Sequence, residues 1–307
     1  MSGRKLRASF FLFLAAFIWG SAFVAQRVGA EHVGPFTFNA ARMLLSGFAL
    51  LPVAIVFRKK GRKSETESGI TSASSRRPLL VGGLLCGLAV FVASSFQQAG
   101  LAHTTAGKGG FITAMYIVFV PLLWVFLKRR IRKAVWLSVL IGFTGLFFLS
   151  LGESLQLNIG DVFMLFCAVG YAVHIILVDR YVQSTDPIEL SCLQFFVAAI
   201  FSFIAMLLFE TPNIDGILSS WLPILYAGVL SGALGFTLQI VGQKNTEPAV
   251  AALLLSFESV FAALTGFFIL NEILTARELF GCVLMFSAVV IAQLPDRSEK
   301  SMHKNLC

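Results

Sequence analysis

Apolar runs long enough to cross a bilayer recur along the chain from Phe10 to Leu294, separated by short polar breaks. A helix rising 1.5 Å per residue needs about 20 residues to cross roughly 30 Å of hydrocarbon. The pattern predicts helices near residues 9–27, 37–57, 79–100, 108–127, 134–151, 160–178, 189–209, 219–241, 249–270 and 276–294. The expected fold class is therefore all-α integral membrane, with ten transmembrane helices. Arg4, Lys5 and Arg7 ahead of the first run also fit the start of a secretory signal peptide. The apolar stretch Phe10–Ala25 exceeds the usual signal core of about 7–15 residues, so the first helix is expected to be retained.

Composition agrees. The 307 residues are 57% hydrophobic and 13% charged, and the mean hydropathy is +0.83, so water is not the chain's main solvent. A net charge of +8 in a soluble protein would point to nucleic acid, but its placement gives another reading. With both termini cytoplasmic, 20 of the 24 Lys and Arg fall on that side. They occupy the N-terminus, the loops 58–77 and 128–133, Arg180, Lys244 and the tail. Only Arg27, Arg42, Lys108 and Arg277 remain, as the positive-inside rule requires. The expectation is a multi-pass protein of the cytoplasmic membrane, partnered by the lipid bilayer and not by nucleic acid. Residues 58–77, rich in Ser, Thr, Lys and Arg with Glu65 and Glu67 interspersed, read as a disordered cytoplasmic connector. Cys86, Cys167, Cys192 and Cys282 lie in apolar runs and Cys307 ends the chain, with no spacing that implies a disulfide or metal. No metal and no cofactor is expected.

A shift of 142 residues pairs Gln97 with Gln239, Gly100 with Gly242, Thr104 with Thr246, and Arg130 with Glu272. A duplicated five-helix unit explains the pairing. Five is odd, so the second copy enters the membrane inverted, an arrangement common among secondary transporters. The basic link Lys128–Lys133 and its uncharged-to-acidic counterpart at Asn271 and Glu272 agree with inversion. The expected division is 1–152, 153–296 and a cytoplasmic tail, 297–307.

Ionisable residues within apolar helices are the strongest pointers to a solute pathway, because charge in hydrocarbon is costly. Glu258 lies mid-span in the ninth helix, Arg42 a turn and a half into the second, and Lys108 opens the fourth. Two readings stand for them: a substrate or proton role, or snorkelling by Arg42 and Lys108 with Glu258 in a structural hydrogen bond. Helical spacing puts Gly109, Thr113 and Tyr116 on one face, and the 142-residue shift makes Tyr116 equivalent to Glu258. Gln97, Gln98, Gln239 and Gln243 serve equally as solute ligands or as hydrogen-bonding links between helices. Trp19 and Tyr171 sit too deep for an interfacial belt. His174, one turn from Tyr171, is a relay candidate or a histidine satisfied by its neighbours. No phosphate loop and no metal-spaced His or Cys cluster marks an enzyme, and no ring of like charge marks a channel.

Three stretches resemble the EamA-type branch of the drug/metabolite transporter superfamily. They are Trp19-Gly20-Ser21; Phe96-Gln97-Gln98-Ala99-Gly100-Leu101 through Thr104-Thr105-Ala106 to Pro121; and Gly242-Gln243-Lys244 followed by Glu247-Pro248-Ala249, Glu258 and Leu270-Asn271-Glu272. The resemblance implies ten helices in inverted five-helix repeats and a central cavity lined by the first, third, fourth, sixth, eighth and ninth. Arg42 falls on none of these. Where the family usually closes the fourth helix with an acid, this chain has Arg130. The expected function is a secondary transporter, an exporter of a small metabolite such as an amino acid or related compound, working by alternating access. Substrate contacts are expected from Trp19, Arg42, Gln97, Thr113, Tyr116, Tyr171, Gln239 and Glu258, with Glu258 and His174 as proton-coupling candidates. The alternative is a non-transporting sensor or scaffold built on the 58–77 loop.

Overall fold

The computed structural model describes residues 3–67, 76–150, 158–270 and 275–293. Asn271, Glu272, residues 68–75 of the connector and the tail 297–307 lie outside the described residues. Among the described residues eight helical stretches are long and apolar enough to cross a membrane: Gly3–Ala30, Pro35–Arg58, Arg77–Leu101, Ala106–Phe126, Ile159–Val182, Pro187–Phe209, Trp221–Gln243 and Pro248–Thr265. Two shorter apolar helices cover Lys133–Phe148 and Leu279–Gln293.

We label the helices α1 (Gly3–Ala30), α2 (Pro35–Glu67), α3 (Arg77–Leu101), α4 (Ala106–Thr113), α5 (Tyr116–Phe126), α6 (Lys133–Ser150), α7 (Ile159–Val182) and α8 (Pro187–Phe209). They continue as α9 (Ile214–Ser219), α10 (Trp221–Leu225), a π-helical segment (Tyr226–Phe236), α11 (Thr237–Gln243), α12 (Pro248–Leu255), α13 (Glu258–Leu270) and α14 (Ala276–Gln293). The main pairings are α3 with α7 and α8, α2 with α8, α6 with α14, and α1 with α13, α11 and the π segment.

The bundle is apolar outside and small or polar inside. Phe10, Phe48, Leu207 and Phe286 point outward, whereas Ala15, Ala16, Gly20 and Ala22 of α1 are buried. Lipid gives apolar helices no reason to seek one another, so association relies on close backbone approach through small residues. Gly20 is one such place: a Cβ there would lie 2.7 Å from the Glu258 carbonyl oxygen and 2.8 Å from the Ala262 nitrogen. Backbone meets backbone between α1 and α13.

Helix ends are tied by polar contacts. Glu210, after α8, accepts from the Phe36 and Thr37 amides at the start of α2, both at 2.8 Å. Asn158 and Asp161 form a reciprocal capping box on α7. On the face that carries the N-terminus, Gln183 donates to the Lys244 carbonyl at 3.2 Å, and Arg132 lies 3.7 Å from Glu247.

Several predicted elements differ from those observed, among them the span 219–241, which contains the π-helical segment. The second helix continues to Glu67, so residues 59–67, read as part of a disordered connector, are helical. Its Lys, Arg and Glu side chains carry little helix penalty. The fourth and ninth spans, predicted continuous, each break in the middle, at Ala114–Met115 and Ser256–Phe257. The breaks lie 142 residues apart and share one hydrogen-bond pattern. Met115 N donates to Ile112 O and Ile117 N to Ala114 O; Phe257 N donates to Leu254 O and Ser259 N to Ser256 O. These three-residue bonds tighten the helix for one turn without Pro or Gly at the break. Ser256 assists by donating its hydroxyl to Leu253 O, while Ala114 has no side chain to do so. The end of α3, both ends of α4 and the start of α5 recur at the same shift, so Leu101, Ala106 and Tyr116 correspond to Gln243, Pro248 and Glu258.

The contact at Gly20 generates a prediction. Gly20→Val will drive α1 from α13 and destabilise the purified protein by about 1–3 kcal/mol. Gly3→Val, at a position with open space around it, will leave the thermal unfolding midpoint unchanged.

Candidate functional site

The two breaks face each other in the bundle interior. Ser259, on the first turn of α13, donates its hydroxyl to the Gly110 carbonyl of α4 at 3.0 Å. Beside this crossing lies a cavity walled by Trp19, Phe23 and Gln26 of α1, Arg42 of α2, Gln97 of α3, Thr113 of α4 and Tyr116 of α5. Tyr171 and Ile175 of α7, Ser231 and Phe236 of the π segment, Gln239 of α11 and Glu258 of α13 complete it. The centre of a water-sized sphere ranges over about 30 Å³ within it, room for one or two waters at roughly 10–15 Å³ each. The conformation is closed to a metabolite-sized solute.

The structure thus brings eight sequence-selected residues to one space: Trp19, Arg42, Gln97, Thr113, Tyr116, Tyr171, Gln239 and Glu258. His174 is not among its walls. It is fully buried one layer behind, its Nε2 3.0 Å from Gln194 Oε1 and its ring edge-on to Phe236. Of the four glutamines, Gln97 and Gln239 reach the cavity, while Gln98 and Gln243 join helices by donating to the Gln26 and Ile175 carbonyls. Lys108 stands away from the cavity and pairs with Asp161 at 2.6 Å.

The π segment shapes one wall. Trp19 donates its indole N–H to the Ser231 carbonyl at 3.1 Å, and Ser46 donates to the Gly228 carbonyl at 2.7 Å. Ser21 meets the Tyr226 hydroxyl at 2.5 Å. Each residue of Trp19-Gly20-Ser21 therefore touches another helix. Phe236 gathers the aromatic wall, its ring 4.8 Å from Trp19 and 6.3 Å from Tyr171.

Electrostatically the lining is under-satisfied. Gln26 Oε1, Arg42 Nη2, Tyr116 Oη, Gln239 Oε1 and Glu258 Oε1 are buried without a hydrogen-bond partner. Tyr116 and Glu258 interact electrostatically but not at hydrogen-bonding geometry. Arg42 is held by its Nε, which donates to Asn39 Oδ1 at 2.8 Å, and by the Phe38 ring 5.7 Å away. Asn39 is fixed in turn through the Ser94 carbonyl at 3.0 Å. Donors and acceptors left open in low dielectric favour a polar ligand.

Phe23, Gln26, Ile175, Ser231 and Phe236 escaped the sequence reading. Phe23 and Gln26 follow Trp19 by four and seven residues and Ile175 follows Tyr171 by four, so one helical face carries them. Ser231 and Phe236 are five apart, a period that only the π segment brings to one side.

The model of the EamA-like transporter family matches residues 6–151 and 158–293. An uncharacterized transporter of Archaeoglobus fulgidus is 32% identical, with 95% of this chain and 87% of that protein aligned. The uncharacterized inner membrane transporter YedA of Escherichia coli K12 is 25% identical over 92% of this chain and 89% of its own. A chloroplastic WAT1-related protein of Arabidopsis thaliana is 23% identical over 92% and 68%. One crystal structure superposes with a TM-score of 0.72 at 18% identity, covering 93% of this chain and 96% of that one; this likeness concerns the fold.

The Lys108–Asp161 pair closes one end of the bundle, with Thr104 also donating to Asp161 at 3.0 Å. Asp161→Asn keeps the shape but removes the charge, and will destabilise the protein by about 1.5–3 kcal/mol, the worth of hydrogen bonds to a charged group. Thermal or denaturant unfolding of the purified chain checks it, with Lys108→Met in the same background giving less than an additive loss.

Proposed function

Because the chain belongs to the EamA-like transporter family, we propose that it is a secondary transporter that moves a small metabolite, such as an amino acid or related compound, across the cell membrane. The carrying observation is the cavity: eight polar and aromatic residues from eight helical segments converge on it, and five of its buried polar atoms lack a partner. Its location between two broken helices matches the place where transporters put their solute sites.

In this reading the eight long spans and two shorter apolar helices make ten crossings. Residues 1–152 and 153–296 are two inverted five-helix repeats, supported by the 142-residue recurrence of helix boundaries and by the two matched stretches. Both termini face the cytoplasm, supported by the placement of Lys and Arg. The solute enters from the cytoplasmic side, is held by Gln97, Tyr116, Gln239 and Glu258 between the aromatic walls of Trp19 and Tyr171, and leaves as the repeats rock. Polar ties at both faces, Lys108 to Asp161 and Gln183 to the Lys244 carbonyl, must each yield once per cycle. Glu258 is the first candidate for exchanging a proton with the solute, because it lines the cavity. His174, behind Phe236, is the second.

Efflux from proteoliposomes loaded with labelled amino acids, small metabolites and cationic drugs, with and without a pH gradient, tests the reading. Selective flux of one class supports it. No flux above empty liposomes for any class rejects it in favour of a sensor or scaffold. If Glu258 carries the coupling proton, Glu258→Gln will retain exchange and lose the response to the pH gradient; an unchanged response removes Glu258 from that role.

A further inference from the structure

On the face that carries the N-terminus, a second hollow opens between α2, α3 and α8. It is an open cleft, in which the centre of a water-sized sphere ranges over about 340 Å³, against 30 Å³ in the central cavity. Its walls follow helical spacing. Leu51, Ala54, Ile55 and Arg58 run along one face of α2, Arg76, Leu79 and Leu80 stand at the start of α3, and Glu189, Leu193 and Phe196 come from α8.

Along its length the cleft changes character. Arg58 ends the α2 span, Arg76 precedes the first turn of α3 and Glu189 lies in the first turn of α8, so the three charges share one end. Beyond them the walls are apolar for two turns, roughly 10 Å from Arg58 to Leu51. Leu51, Ile55 and Leu80 are 37%, 46% and 59% exposed, so hydrocarbon reaches these walls from the side. One turn further in, α8 presses on both neighbours. A Cβ at Gly47 would lie 3.1 Å from the Phe196 ring, and one at Gly83 would collide with the Leu193 side chain. We propose that this cleft holds one anionic phospholipid, its phosphodiester on Arg58 and Arg76 and the start of an acyl chain along Leu51, Ile55 and Leu80.

Charge and shape carry the inference together. Arg58 and Arg76 against Glu189 leave one positive charge, the match of one phosphodiester. Arg58 holds Glu189 loosely, at 3.8 Å with the side chains 48% and 24% exposed, a pair worth little by itself. Arg76 belongs to none of the ion pairs among the described residues. Guanidinium groups take phosphate oxygens through parallel N–H groups. A free phosphate would use the charged end and leave two apolar turns unfilled. An uncharged lipid would fill the turns and leave the positive charge. A zwitterionic headgroup brings a cation of its own to an end that already has one in excess. An anionic lipid uses both parts, and basic hollows between helices at the membrane surface are where anionic headgroups settle. The cleft shares no lining residue with the central cavity, so the inference does not depend on the transporter reading.

The test titrates the purified full chain, in a non-ionic detergent, with dioleoyl phosphatidylglycerol, phosphatidylcholine and phosphatidylethanolamine. It reads the concentration at which each lipid gives half its rise in thermal midpoint. Phosphatidylglycerol is expected to act at about one-fifth the concentration of either zwitterionic lipid, the worth of one net positive charge at a membrane surface. Glu189→Gln will widen that preference by removing the competing acid, and Arg58→Gln with Arg76→Gln will abolish it. Arg4→Gln with Lys5→Gln, which takes two exposed cations from the same face, will leave it intact. Should the Arg58 and Arg76 pair fail to fold, each substitution is read singly and is expected to shrink the preference. Glycerol phosphate, a headgroup without chains, will give no shift at the lipid's concentration. A wild-type chain that does not prefer phosphatidylglycerol overturns the proposal, as does a preference that survives loss of both arginines, that Glu189→Gln fails to widen, or that falls equally with Arg4 and Lys5. An equal shift with glycerol phosphate overturns the lipid as occupant in favour of a free phosphate ester.

Discussion

Hydrocarbon offers no hydrogen bonds, and that constraint organises the whole bundle. At several places where the helical ladder ends or is interrupted, another part of the protein takes up a backbone group. Glu210 accepts the first amides of α2. Carbonyls of the π segment are taken by Trp19 and Ser46, and the Gly110 carbonyl near the first break receives the Ser259 hydroxyl. The same economy applies to charge, as Lys108 beside Asp161 illustrates. Against this background the open polar atoms of Gln26, Arg42, Tyr116, Gln239 and Glu258 stand out because they surround one cavity rather than being scattered. Five open polar atoms converging on one cavity make it the candidate place for a polar ligand.

Much of the fold could be read from the chain, and the physical reason is simple: an apolar run of about 20 residues has few structural alternatives in lipid. The spans lie within a few residues of their predicted ends. The breaks at Ala114–Met115 and Ser256–Phe257 were illegible because neither contains Pro or Gly; each is a single turn tightened by three-residue hydrogen bonds, and no hydropathy pattern records such a turn. The π segment was hidden for a related reason. Residues 226–236 read as an ordinary apolar run, and only the widened period puts Ser231 and Phe236 on the cavity side. Helix α2 ran past its predicted end because a charged helix leaving the bilayer keeps its backbone bonds, although its apolar signal has stopped.

The candidate site was legible to the extent that polarity inside an apolar helix is itself information. Glu258, Gln97 and Gln239 announced themselves that way, but the same signal could not separate Gln97 from its neighbour Gln98. Adjacent positions on a helix lie about 100° apart, so one faces the cavity and the other the Gln26 carbonyl. Arg42 presents the opposite case. The resemblance implied a cavity without the second helix, and snorkelling gave an ordinary use for an arginine near a helix end. The structure instead buries it at 4% exposure with its Nε committed to Asn39. What decided the matter was a local bond three residues back on the same helix, which turns the guanidinium inward before any other helix is considered.

The recurrence at 142 residues separates scaffold from chemistry. The end of α3, both ends of α4, the start of α5 and the bonds across the breaks correspond at that shift, yet the residues opening the second half-helix differ, Tyr116 in one copy and Glu258 in the other. An α-helix carries partial positive charge at its N-terminus, so both positions favour an electron-rich group, and α13 opens on the carboxyl group of Glu258. Its neutral counterpart Tyr116 leaves the cavity with one acid rather than two. Around the breaks the backbone pattern recurs at this shift while the residue opening the second half-helix does not.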